Sequence, residues 1–107
     1  MAKSRVFISI PMGGYSQEEI EENVRKVKAA YEDRFGTNVE FIDSFFNDTD
    51  SNDWSPARCL AESLKLLSSA DIAVFVKGWD KYRGCRLEHE FCNAYDIKFI
   101  EFVMDLF

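Results

Sequence analysis

Short, almost continuous apolar runs alternate with longer segments of helical periodicity, and this alternation constrains the fold more than any other feature of the sequence. The runs at residues 6–10 and Ile72–Val76 are apolar at nearly every position, as expected of strands that are covered on both faces. Two further strands are predicted at Val39–Ile42 and at residues 98–103. Strands that alternate with helices form a parallel sheet through right-handed crossovers. The sequence therefore predicts one α/β domain over residues 1–107, with a mainly parallel four-stranded sheet in the order βαβαβαβ.

Two of the three helices have clear start signals. Ser16, with Glu19 three residues later, forms a capping box, and Gly36 suits the end of that first helix. One apolar stripe follows at helical spacing: Ile20, Val24, Val27 and Tyr31. Ser55 followed by Pro56 is typical of a helix start, and this second helix is predicted to run to about residue 69.

Composition excludes several classes of protein. The net charge of −6 argues against binding to a nucleic-acid polymer, which needs a basic surface. The apolar run near the N-terminus is too short for a signal peptide or a membrane span. The three cysteines have no disulfide-framework spacing, so we interpret them as reduced thiols. We therefore expect a cytoplasmic protein with no membrane contact.

Ligands of open parallel sheets bind at the carboxyl ends of the strands. In this chain that edge is predicted to consist of three loops, at residues 11–15, 43–54 and 77–84. The first loop contains Gly13 and Gly14 before a helix N-terminus, where free N–H groups can bind an anion. A tight turn without a ligand explains the two glycines equally well.

Glu88 is the most informative residue of the third helix, which is predicted to begin at residue 84 or 85 and to end near residue 95. It shares a helix face with apolar residues, namely Phe91, Cys92 and Tyr95, and lies near the helix N-terminus. A carboxylate on such a face is unfavourable unless it is paired or functional. From helical geometry alone, a pairing of Glu88 with Arg83 or Arg86 remains open beside a catalytic role.

Other chemistries find weaker support. Cys85, His89 and Cys92 fall at positions i, i+4 and i+7, but one helix alone rarely encloses zinc, so we expect no metal. A thiol nucleophile beside His89 is less favoured than a buried, inert cysteine. Residues 48–59 begin like a calcium loop but lack its required Gly and bidentate Glu. No cofactor is expected.

Three segments in order resemble the small nucleoside 2-deoxyribosyltransferase-like proteins. Residues 7–14 are similar to their "ISGPMTG"-like opening. Residues 71–76, with Gly78 and Trp79, are similar to their third strand and its loop, and residues 83–90 to their "RGxxxE" helix start. The family includes nucleoside deoxyribosyltransferases and deoxynucleoside 5′-monophosphate N-glycosidases. The resemblance implies a flavodoxin-like three-layer α/β/α fold, a nucleoside or nucleotide as the small-molecule partner, and Glu88 as the nucleophile that attacks the anomeric carbon.

The mechanism that the resemblance implies needs a second group to help the base to leave, and Asp80 is the expected candidate because it lies in the same loop. Arg83 is expected to bind a phosphate. The remaining substrate-binding residues are expected to contact the sugar, the phosphate or the base: Ser9, Gly13, Gly14, Trp79, Tyr82 and Gly84.

The chain also departs from the family pattern. Tyr82 stands where the transferases place an Asp, six residues before the nucleophile, and Asp96 stands where a helix-capping Gly is common. A non-catalytic nucleotide-binding or sensing module is therefore the alternative to an enzyme, and a purely structural domain is a third possibility. Family enzymes often complete the site with a neighbouring subunit, so we expect a homodimer or higher homo-oligomer, with the aromatic segment at residues 102–107 at its interface.

Overall fold

Four strands and three helices alternate along the chain in a computed structural model, which describes residues 3–42 and 54–104. In chain order the elements are β1 Ser4–Ser9, α1 Gln17–Phe35, β2 Val39–Ile42, α2 Pro56–Leu67, β3 Ile72–Val76, α3 Arg83–Ala94 and β4 Phe99–Phe102. A 3₁₀ turn, Trp79–Lys81, precedes α3. The predicted βαβαβαβ order is confirmed.

The four strands form one sheet in which every neighbouring pair is parallel. Its order is β2-β1-β3-β4, and the central pairing of β1 with β3 aligns Val6 with Ile72 and Ser9 with Phe75. The flavodoxin-like order is 2-1-3-4-5, so this sheet has the flavodoxin-like arrangement with four strands in place of five. The predicted fold class, an α/β domain with a parallel four-stranded sheet, is therefore confirmed.

Side chains that alternate along the strands divide the core between two faces of the sheet. On one face, the stripe of α1 covers Val6, Ile8, Val74 and Val76. On the other face, Leu67 of α2 and Cys92 of α3 pack with Phe7, Ala73 and Phe75. The structure is thus a three-layer α/β/α arrangement with α1 on one side and α2 and α3 on the other.

Local signals define the helix ends. The Ser16 side chain accepts a hydrogen bond from the Glu19 N–H while the Glu19 side chain binds the Ser16 N–H, so the capping box is complete. The Ser55 side chain accepts from the N–H of Arg58 at the start of α2. After α3, Asp96 adopts a left-handed φ of 56°, and the Ile97 N–H bonds the Cys92 carbonyl oxygen, as in a Schellman ending.

The boundaries differ from the prediction by one or two residues. β1 begins two residues earlier than predicted, because Ser4 and Arg5 are polar but still pair with β2. It ends at Ser9, one residue before the predicted end. The segment predicted as a loop after β3 contains the 3₁₀ turn. Tyr95, expected to share the apolar face of α3, is 70% exposed. Residues 43–53 of the second predicted loop, with the first part of the rejected calcium pattern, and residues 105–107 lie outside the described residues.

Candidate active site

The topology creates a switch point between the two central strands. β1 leads into α1 on one face of the sheet, whereas β3 leads into α3 on the other, and the two strands are hydrogen-bonded neighbours. Open α/β sheets bind their ligands where adjacent strands send their helices to opposite faces. Ser9 ends β1 at this place, and α3 provides Glu88.

A buried hydrogen bond joins these two residues. The Ser9 hydroxyl donates to Glu88 Oε1 over 2.6 Å. Ser9 is 2% exposed and Glu88 is 8% exposed. Within residues 3–42 and 54–104, no hydrogen bond reaches Glu88 Oε2 and no ion pair involves Glu88. Among the described residues, Glu88 therefore pairs with Ser9 and not with Arg83 or Arg86, the partners that helical geometry left open.

Burial dominates the protonation of Glu88. It raises the pKa of the carboxyl group to about 7, and the hydrogen bond from Ser9 opposes that rise. Proximity to a helix N-terminus favours the ionised carboxylate, but loss of solvation outweighs this effect at Glu88. Near neutral pH, Glu88 therefore populates both the ionised form and the protonated form.

Cys85 is a third member of this cluster, a position that the sequence pattern did not indicate. It lies one helical turn before Glu88 and is buried. Burial raises the pKa of its thiol to about 11, a hydrogen bond with Ser9 opposes this rise, and the nearby Glu88 raises the pKa further. The buried stripe of α3 consists of Cys85, Glu88 and Cys92, and a count from Glu88 toward the helix start would have found Cys85.

The glycine turn after β1 is tied to the start of α3. Tyr82, the residue before α3, donates a hydrogen bond from its hydroxyl group to the Gly13 carbonyl oxygen over 3.2 Å. A Cβ atom at Gly13 would lie 3.2 Å from Tyr82 Cε1, so the tyrosine ring lies directly against the glycine. Gly14 has a left-handed φ of 87° and completes the turn.

The charged candidates lie at the surface. Asp80 is exposed in the 3₁₀ turn, and its backbone carbonyl oxygen accepts a hydrogen bond from Arg86 Nη1 over 3.1 Å. Arg83 and Gly84 open α3 and are also exposed. The structure therefore places these three predicted residues around the same helix start as Glu88, with Asp80 and Arg83 open to solvent.

Trp79 makes a different set of contacts. Its indole ring stacks on His89 with ring centroids 4.1 Å apart and an interplanar angle of 11°, and it also packs against Phe75. His89 Nδ1 lies 3.3 Å from the Asn93 side-chain nitrogen, and its Nε2 lies 4.0 Å from a Glu101 oxygen. The structure thus places Ser9 against Glu88 and Gly13 against Tyr82. One face of the Trp79 ring is covered by stacking on His89.

Two alternatives can be compared with this geometry. Within the described part of the chain, no group of three or more His, Cys, Asp or Glu side chains is arranged to hold a metal ion. Burial raises the pKa of the Cys92 thiol to about 11 as well, so neither cysteine of α3 is activated as a thiolate.

No described helix is long and apolar enough to cross a membrane.

Comparison of the chain with protein-family models, with curated proteins and with solved structures finds no match.

Proposed function

We propose that this protein cleaves or transfers the N-glycosidic bond of a nucleoside or a nucleoside 5′-monophosphate, with Glu88 as the nucleophile. The supporting observation is the buried Glu88 carboxyl group, held by Ser9 at 2.6 Å where the neighbouring strands β1 and β3 lead into helices on opposite faces of the sheet. Buried carboxyl groups with shifted pKa values at such switch points are typical of functional sites. The sequence resemblance supplies the reaction class.

The chemistry follows the pattern of retaining glycosidases. In the ionised form, an oxygen of Glu88 forms a bond to the anomeric carbon while the bond from that carbon to the base nitrogen breaks. The base leaves with the electron pair and takes up a proton, for which Asp80 is the proposed donor. Water, or a second base in a transfer reaction, then displaces the Glu88 carboxylate from the anomeric carbon and restores the enzyme.

Only the ionised form of Glu88 can act as this nucleophile. With a pKa of about 7 for the free site, we expect base release to increase with pH from pH 6 to pH 8. The basic residues at the start of α3 would assist a substrate with a phosphate group, since Arg83 is exposed there. No cofactor is part of this proposal.

A non-catalytic nucleotide-binding module is the second candidate. It is favoured by Tyr82, which occupies the position of the transferase Asp and directs its hydroxyl group to the Gly13 carbonyl oxygen. A site without this second carboxylate could bind a nucleotide without breaking it. This candidate predicts stabilisation by nucleotides without release of a base.

On this proposal the protein acts in the cytoplasm as a homodimer or higher homo-oligomer. Within the segment expected at the interface, Val103 is 82% exposed, whereas Phe102 beside it is buried in the core. Light scattering of the purified chain measures the oligomer directly. A monomer at all concentrations would contradict this part of the proposal.

The decisive experiment measures release of free base, by chromatography, from ribonucleosides, deoxyribonucleosides and their 5′-monophosphates. We expect release by the wild-type protein and a loss of at least about 100-fold in Glu88→Gln, which keeps the size of the side chain but removes the nucleophile. Glu90→Gln is the matched control, because Glu90 is an exposed carboxylate on the same helix. Release that persists in Glu88→Gln would exclude the assigned nucleophile, and stabilisation by a nucleotide without release would favour the binding module.

A further inference from the structure

Ser9 is a polar residue in the most apolar part of the sheet. It follows Val6, Phe7 and Ile8 in β1, all of which are buried, and it is itself 2% exposed. A buried hydroxyl group requires a hydrogen-bond partner, and truncating one partner leaves the other unsatisfied. At Ser9 the partner that accepts is Glu88 Oε1.

The direction of the hydrogen bonds around Ser9 follows from its single proton. That proton points to Glu88 Oε1, so the Ser9 oxygen is left as an acceptor. Cys85 lies on the same buried stripe of α3 as Glu88, and burial raises the pKa of its thiol to about 11, so it keeps its proton at neutral pH. Cys85 therefore adds no charge beside Glu88, and Ser9 is the hydrogen-bond donor to the Glu88 carboxyl group.

The strands beside Glu88 carry almost no titratable groups, whereas the neighbouring helix and 3₁₀ turn carry several. β3 has no titratable side chain, and β1 has only Arg5, near its opposite end. The 3₁₀ turn contributes Asp80 and Lys81, and α2 contributes several ionisable groups: Arg58, Cys59, Glu62 and Lys65. Burial and the hydrogen bond from Ser9 shift the pKa of Glu88. Glu88 in turn raises the pKa of the Cys85 and Cys92 thiols.

We propose that Ser9 is the positioning residue of the site: it fixes Glu88 Oε1, stabilises the ionised carboxylate against burial, and leaves Oε2 to meet the substrate. The catalytic part of this inference rests on the proposed function. The coupling between Ser9 and Glu88 does not, because it can be measured without turnover.

The test is a direct titration of the Glu88 carboxyl carbon by NMR between pH 5 and pH 9, assigned with Glu88→Gln. We expect Ser9→Ala to raise the midpoint by about one pH unit, as expected for the loss of one hydrogen bond to a charged group. Ser9→Thr keeps the hydroxyl group and is expected to keep the midpoint near the wild-type value. Ser9→Cys, with a weak S–H donor, is expected to give a smaller rise and provides a second variant if Ser9→Ala does not fold.

The activity profile then separates the two proposals. If both hold, the pH at which base release reaches half its maximum moves upward in Ser9→Ala together with the NMR midpoint, and Ser9→Thr restores both. An unchanged midpoint in Ser9→Ala and Ser9→Cys, with base release intact, would overturn the role of Ser9 and leave the proposed function standing. A raised midpoint without base release in any variant, including the wild type, would overturn the proposed function and support the coupling between Ser9 and Glu88.

Discussion

The hydroxyl group of Ser9 lies 2.6 Å from Glu88 Oε1, and this one contact joins the end of the central strand β1 to the helix that follows the neighbouring strand β3. Both residues are buried, so the contact forms part of the interior rather than of the surface. A carboxyl group in this position affects the stability of the protein as well as any chemistry that it performs.

Glu88 makes stability depend on pH. Its pKa is about 7 in the folded protein against an ordinary value of 4.5, so between these values the folded chain holds a proton that the unfolded chain has released. The stabilising contribution is therefore fully present below pH 4.5 and is lost as pH rises through 7, by up to roughly 3 kcal/mol. We expect Glu88→Gln to become more stable relative to wild type between pH 5 and pH 8, measured by urea unfolding.

Glu90→Gln is the control for this comparison, since Glu90 is exposed on the same helix and its change removes an equal charge. We expect its stability to follow the wild-type curve within about 0.5 kcal/mol at both pH values. A Glu88→Gln curve parallel to that of wild type over this range would show that the carboxyl group is not held protonated.

The two glycines after β1 are expected to respond differently to substitution. Gly13→Ala would place Cβ 3.2 Å from Tyr82 Cε1, so we expect it to lower the free energy of unfolding by about 1 kcal/mol through crowding. That loss should become smaller in a Tyr82→Ala background, where the ring is absent. Gly14→Ala meets no neighbouring atom but forces a left-handed φ of 87° on alanine, so we expect a loss of about 1 kcal/mol that is independent of Tyr82.

Denaturant unfolding of the single and double variants measures both coupling energies. Equal losses for Gly13→Ala with and without Tyr82 would show that the ring does not rest on the glycine.

Asp96 offers a stabilising substitution. It holds a left-handed φ of 56° after α3, a conformation that aspartate tolerates but glycine adopts without strain. We expect Asp96→Gly to raise the free energy of unfolding by about 0.5 kcal/mol and Asp96→Ala to lower it by a similar amount. Thermal unfolding of the three proteins in parallel checks the order, and a less stable glycine variant would contradict it.

Thiol reactivity should distinguish the three cysteines. Burial raises the pKa of both Cys85 and Cys92 to about 11, whereas Cys59 is only partly buried. Because the thiolate is the reactive form, we expect one thiol per chain to react quickly with iodoacetamide at pH 8 and the other two only after unfolding. Mass spectrometry identifies the site, and Cys59→Ser should abolish the fast reaction. Fast labelling of Cys85 in the folded protein would contradict its burial.

The fold was predictable because its signals are local. Continuous apolar runs mark β1 and β3, and the caps at Ser16 and Ser55 mark the helix starts, each within a few residues of chain. Exact strand ends were less predictable, since Ser4 and Arg5 join the sheet through pairing with Val39 and Glu40 of β2. That pairing depends on the assembled sheet rather than on the residues themselves.

The site was predictable only in part. Helical spacing indicated that Glu88 shares a face with apolar residues, and the structure buries it. Its partner is a serine from β1, which no spacing rule relates to α3, because contacts between distant segments depend on how the helix packs across the sheet. Arg86, an expected partner, instead bonds the backbone of Asp80, and the stacking of Trp79 on His89 depends on the 3₁₀ turn, which the sequence pattern did not indicate.

The hydrogen bond from Tyr82 to Gly13 and the one from Ser9 to Glu88 fasten the first half of α3 to β1 and its turn at two points. With two attachments the helix has little freedom to rotate about either one. We therefore expect a change at the glycine turn to shift α3, and the titration of Glu88 to report that shift.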